Sequence, residues 1–141
     1  VRSPHAKERL LTHLHEGNRA SASQAPVNAI LAFERNWQKR FTEFAPHAVA
    51  AQKFFEDEGE RIPLGRLCAQ VQAGYFITAV RALGLDAGPI TGADFEAIAA
   101  DAVLLGGQDQ QPFLVVNIGY GLGPFRERGV RFSFEQTTRT V

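Results

Sequence analysis

The chain holds one cysteine and no methionine in its 141 residues. A lone cysteine excludes an internal disulfide framework, so the fold has to be carried by an ordinary core. A chain of this length buries roughly 70% of its unfolded surface, which suffices for that. The missing methionine, initiator included, and the start on Val1 lead to the expectation of a single domain, 1–141, truncated at the N-terminus from a longer chain. Charge of one sign is also lacking: fifteen Lys and Arg oppose fifteen Asp and Glu, for a net charge of zero. That balance argues against a nucleic-acid partner, which calls for a basic excess or stripe. There is no long hydrophobic run either. Leu64 to Leu85 is broken by Arg66, Gln70, Gln72 and Arg81 and cannot cross a bilayer. Val1-Arg2-Ser3-Pro4-His5 has no signal-peptide core. A cytoplasmic location is expected.

Catalytic signatures are equally sparse. There is no Gly-x-Ser-x-Gly elbow, no Cys-x-x-Cys and no His-Glu-x-x-His. His13 and His15 lie two apart on an expected helix, about 200° around its axis, and cannot share a metal. They read as exposed helix residues, and His47 has no neighbouring ligand. Neither triad hydrolysis nor a metal site is expected.

With 45% hydrophobic and 21% charged residues, the composition is that of a globular protein. Ser3 as N-cap and Pro4 as first helical residue open a helix with an apolar stripe of Leu10, Leu11 and Leu14, and Gly17-Asn18 stops it. Val1 reads as the end of a preceding strand. Val27 to Phe33 is apolar on both faces, the pattern of a central covered strand. Trp37, Phe41 and Phe44 mark a helical segment, a second follows from Pro46 to Phe55, and residues 56–60 form an acidic loop. Pro63 to Leu83 reads as a long, buried central helix ending at Gly84. A short helix follows Gly92, Pro112 to Ile118 is a second buried strand, and Val130, Phe132 and Phe134 alternate like a third. Strands separated by helices define an α+β, layered α/β fold.

Three local features bear on chemistry. Gly119-Tyr120-Gly121-Leu122-Gly123 follows a strand, but Pro124 and arginines follow it where a dinucleotide fingerprint needs a helix. Arg126 and Arg128 lie two apart in an extended stretch and either converge on one phosphate or are ordinary surface arginines. Leu83 to Asp94 runs from a helix stop through Gly88-Pro89 and Thr91-Gly92 into a new helix. It is either a backbone platform for a flat ligand or a plain connection. Cys68, on the long helix, reads as a small buried thiol.

Taken together, Arg81-Ala82-Leu83-Gly84-Leu85-Asp86, Gly88-Pro89-Ile90-Thr91-Gly92, Asn117-Ile118-Gly119-Tyr120-Gly121, Arg128 and Arg131-Phe132-Ser133-Phe134-Glu135 resemble the nitroreductase superfamily. The resemblance is strongest to its malonic semialdehyde reductase branch. It implies a nitroreductase-like fold with a central mixed sheet flanked by helices, a long buried central helix and a C-terminal arm. It further implies FMN as cofactor and NAD(P)H as electron donor, with a small aldehyde such as malonic semialdehyde, or a nitroaromatic or quinone, as oxidant. By the same resemblance Pro89, Ile90, Thr91 and Gly92 lie against the flavin, Arg126 and Arg128 hold its phosphate, and Cys68 falls near its pyrimidine edge. Thr91 stands where several relatives carry Glu, and a thiol at Cys68 departs from the usual amide. An early Arg and a Pro/Ser/Asn-rich flavin loop of the family have no counterpart here. The implied assembly is a homodimer through the long helix and C-terminal arm, with Val130, Phe132 and Phe134 covered by the partner. The competing class is a flavin-free binding or structural module.

Overall fold

Ser3 starts the first element as its side chain dictates, accepting a hydrogen bond from the Ala6 amide at 3.3 Å. Pro4 fills the first turn, where its missing N–H costs nothing. Helix α1 (Pro4–His13) stops before the expected glycine, because Leu14 turns out in extended geometry and bridges Ala93. Gly17 and Asn18 instead fall in the first turn of α2 (Glu16–Gln24), a helix built from the Ala/Ser-rich stretch. The computed structural model describes residues 1–106, 109–123 and 127–141.

Strands β1 (Val27–Glu34), β2 (Asp86–Ile90) and β3 (Gln110–Gly119) form a sheet in the order β1-β3-β2. Both pairings are antiparallel, so the described sheet is antiparallel where a mixed one was expected. β1 is an outer strand of it, and β3 takes the central position, because residues 113–116 are buried on both faces while most of β1 is half-buried. Val1 runs beside β1 and exchanges both backbone hydrogen bonds with Asn28, at 2.6 and 3.1 Å. Pro112 cannot donate to the ladder, and the register skips there: Leu31 faces Leu114 while Ala32 faces Pro112. The bulge puts Phe113 and Leu114 into the same core cluster.

Neighbouring strand residues face opposite ways, so Val115 and Val116 each anchor a different layer. Val115 joins Leu10, Leu14, Ala22, Ile90 and Ile98 under α1, α2 and α5 (Phe95–Ala100). Val116 joins Phe33, Ala73, Phe113 and Leu114 under α4 (Glu58–Ala82). Asp57 caps α4, accepting from the Gly59 and Glu60 amides at 2.6 and 3.3 Å, so the acidic run begins the helix where a loop was expected. Gly84, at φ +79°, ends the descent from α4. The helix is not buried in the chain. Ala69, Ala73, Phe76, Ile77 and Val80 pack on the sheet side, whereas Leu67, Val71 and Tyr75 are 58, 55 and 74% exposed. A helix apolar on two opposite faces looks fully buried in sequence. Cys68 on α4 is exposed, correcting the buried-thiol reading.

Between β1 and α4 the chain makes a 3-10 turn (Trp37–Arg40), α3 (Phe41–Phe44) and a kinked 3-10 stretch (Pro46–Phe55). Arg61, 4% exposed, ties this excursion to α4. Its guanidinium donates to the carbonyls of Arg35, Phe55 and Glu56 at 2.9, 3.1 and 2.6 Å and to Glu58 Oε1 at 3.0 Å. The tail departs furthest from expectation. Among residues 127–141 the one regular element is α6 (Phe134–Thr137), and Val130 and Phe132 are 97 and 79% exposed. Alternation alone makes no strand without a neighbour to pair with. No described helix is long and apolar enough to cross a membrane.

Replacing Arg61 by Met leaves three carbonyls without their donor and should cost about 2–4 kcal/mol in urea unfolding. Lys, lacking the planar fork, should recover little of it. A loss below about 1 kcal/mol would show that the excursion holds without this hub.

Candidate functional site

The segment Gly88 to Asp94 is fixed from both ends. Ile90 pairs with Val115 and is buried under α1 and α5, which sets the exit of β2. Pro89, opposite Val116, is tolerated because β2 lies at a sheet edge. Asp94 caps α5, accepting from the Ala97 amide at 2.9 Å, and its own amide donates to His13 O at 2.8 Å. Between these anchors the Gly92 carbonyl takes two donors, the His15 amide and Asn18 Nδ2, both at 3.0 Å. A Cβ on Gly92 would lie 2.5 Å from Asn18 Nδ2 and 3.1 Å from His15 Nδ1. Glycine is therefore required by close approach to the α1–α2 junction. Thr91 and Pro89 remain exposed.

The same junction is fastened at α1. Arg9 Nη2 and His13 Nε2 meet Asp101 Oδ2 at 2.7 and 2.9 Å, and the Asp101 side chain is 1% exposed. The His13 hydrogen bond, then those of the Val103 amide and Arg9, hold this carboxyl well below the usual carboxylate range, against burial, which raises it. His13 is thus a partner of a buried acid, not the free surface histidine its position suggests. Arg9 and His13, four apart on one face of α1, were the available signal. His15 and Asn18 were masked by the reading of Gly17-Asn18 as a helix stop.

The structure places Pro89, Ile90, Thr91 and Gly92 at the β2 exit, held at Ile90 by Val115 and at Gly92 by His15 and Asn18. It does not bring Cys68 to them. Cys68 lines a cleft of about 540 Å³ against Ala32, Phe33 and Glu34 at the end of β1, the opposite outer strand of the sheet. Arg128 is exposed in the tail, and Arg126 lies outside the described residues. A second cleft, of about 640 Å³, opens where β2 begins and β3 ends, between Ser21, Arg81, Asp86, Asn117 and Tyr120. There Arg81 pairs with Asp86, which also accepts from the Gly121 amide at 2.8 Å. This bond turns the Gly119–Gly121 run into an exit from the sheet. Among the described residues no cluster of His, Cys, Asp or Glu is arranged to hold a metal.

Comparison with known proteins defines the family. A Streptomyces coelicolor protein assigned the name NADH dehydrogenase/NAD(P)H nitroreductase is 41% identical over 143 aligned positions, covering all of this chain and 71% of the relative. The chain belongs to this nitroreductase family. Its fold matches that of the Bacillus subtilis nitroreductase ydfN with a TM-score of 0.85 at 15% identity, over 100% of this chain and 75% of the other. A nitroreductase from Exiguobacterium sibiricum, solved in complex with FMN, matches with a TM-score of 0.75 at 17% identity, over 99 and 73% of the two chains. No family model matches the chain.

Gly92→Ala should displace Asn18 and cost about 1–3 kcal/mol, and Asn18→Ala in the same chain should relieve part of that cost. Strictly additive losses in the double variant would contradict the contact. Because the Asp101 carboxyl titrates lower in the folded chain than in the unfolded one, its stabilisation is complete above about pH 4 and fades as the pH falls further. Thermal unfolding of wild type and Asp101→Asn should therefore differ most near neutral pH and converge in acid. A pH-independent difference would refute the assignment.

Proposed function

We propose that the chain is an FMN-dependent NAD(P)H oxidoreductase in which Pro89 to Gly92 form the backbone platform for the flavin. The observation that carries this reading is the double clamp on the Gly92 carbonyl, which holds a short stretch of exposed backbone rigid at a sheet edge. A flat ring needs such a surface: close backbone approach without intervening side chains. The donor set fits an anionic flavin as well, since Arg128 is exposed and cationic and Arg126 precedes it by two positions. When bound, FMN supplies the hydride chemistry; the protein orients it and neutralises its phosphate. Thr91 contributes its backbone, with its side chain exposed beside the platform. Membership in the nitroreductase family supports the same cofactor and donor.

The sequence resemblance carried by Arg81 to Asp86 and the motifs after it supports a small aldehyde such as malonic semialdehyde as oxidant, with a nitroaromatic or quinone as the second reading. The exposed stripe Leu64, Leu67, Val71 and Tyr75 on α4 supports a homodimer through that helix, with the apolar tail residues Val130, Phe132 and Phe134 covered by the partner. Contiguous apolar surface of this kind is costly to leave in water.

Two measurements test this. Exchanging Arg126 and Arg128 together for Ala should weaken FMN binding about 100-fold or more, read from flavin fluorescence. Unchanged affinity would remove the arginines from the site, and absence of FMN binding by the wild-type chain would favour a flavin-free module. In sedimentation, the chain should run as a dimer that Val71→Glu dissociates; a wild-type monomer at micromolar concentration would overturn the interface.

A further inference from the structure

Arg19 is set apart from other arginines of the folded layers. Arg9 and Arg81 are neutralised by Asp101 and Asp86, and Arg61 is held by three carbonyls and Glu58. Arg19 pairs with no carboxylate among the described residues. It is exposed, yet it is held in place: its Nε donates to the Leu14 carbonyl at 2.9 Å. That bond takes one N–H of the guanidinium and orients the plane of the rest, the two Nη groups among them.

The place where it is held gives the charge its meaning. Leu14 bridges Ala93, the residue after Gly92. His15 and Asn18 grip the Gly92 carbonyl, both at 3.0 Å, and Arg19 follows Asn18 directly. The guanidinium therefore stands at the Gly92 end of the Pro89–Gly92 stretch. The His15 ring lies against the same glycine, its Nδ1 3.1 Å from where a Cβ would be, and makes no capping bond to α2. The acids nearby are engaged or turned away. Asp101 holds Arg9 and His13, Asp94 caps α5, and Glu16, exposed in the first turn of α2, forms no ion pair with Arg19.

On the reading of Pro89 to Gly92 as the flavin platform, we infer that Arg19 is a specificity-determining residue. It holds the carboxylate of a small anionic oxidant at the edge of that platform. A planar carboxylate matches the paired donors of a guanidinium, whereas a neutral quinone or nitroaromatic leaves them unused. Selection follows from that difference, because the oriented cation gains a partner with the first kind of molecule and none with the second.

The test titrates the whole chain, without flavin and again with FMN, with malonate and with its neutral counterpart propane-1,3-diol. In 15N spectra the Arg19 Nε–H signal should shift saturably with malonate and ignore the diol. Arg19→Leu should weaken malonate binding about 10- to 100-fold, and Arg19→Lys, a point charge without the fork, should recover only part of it. In turnover, Arg19→Leu should raise KM for succinic semialdehyde by a similar factor with kcat kept, and leave butanal unaffected. An Arg19 signal unmoved by malonate, an equal response to the diol, or unchanged malonate binding in Arg19→Leu with its fold intact by circular dichroism would overturn the inference. So would equal losses for succinic semialdehyde and butanal. The flavin-free titration decides the anion site by itself, and failure to bind FMN counts against the flavin reading alone.

Discussion

Everything in this chain is hung on β3. Val115 and Val116 have no solvent exposure, and because they are adjacent in a strand they point into different layers. One closes the core under α1, α2 and α5, the other the core under α4. The antiparallel pairing of Val115 with Ile90 then fixes where β2 ends, and with it the position of Pro89 to Gly92. A change in this pairing by one residue would turn Ile90 out of its core and move Pro89 to Gly92 with it. The position of the Pro89–Gly92 segment is thus a consequence of core packing, reinforced by the hydrogen bonds of Asn18 and His15.

Part of the fold around Pro89–Gly92 was legible in sequence because local chemistry decides it. Ser3 and Pro4 start α1 and Gly84 turns the chain out of α4, whereas Gly88-Pro89, read as part of a connection, lies in the edge strand β2. Asp94, at the end of that stretch, is the cap of α5. What the sequence hid are choices made by partners far along the chain. Gly17-Asn18 has the composition of a stop, yet Asn18 is needed to reach Gly92, 74 residues on. Val27 to Phe33 has the composition of a central strand, yet β3 outcompetes it for that place. The tail alternates like a strand but pairs with none of the described residues, and in α4 two apolar faces merge into a pattern that reads as burial.

The site residues divide along the same line. Pro89 to Gly92 form a contiguous motif, and the structure keeps them together. Cys68 was joined to them by resemblance, and the fold separates them across the sheet. Its neighbours are aromatic rings of the 36–57 excursion, whose two helical segments were readable from their apolar spacing while their short 3-10 turns and their packing on α4 were not. Arg61 organises that excursion mostly through backbone carbonyls, and recognition by carbonyls leaves no sequence signature.

The central claim is that the Pro89–Gly92 backbone faces the flavin. Its most direct test is the amide spectrum of the 15N-labelled chain as FMN is added. The account predicts that the Ile90, Thr91 and Gly92 amides shift with flavin occupancy, while the Trp37 indole N–H, held by Arg61, stays in place. FMN binding that leaves the three amides unmoved, or that shifts the Trp37 signal in their stead, would contradict it.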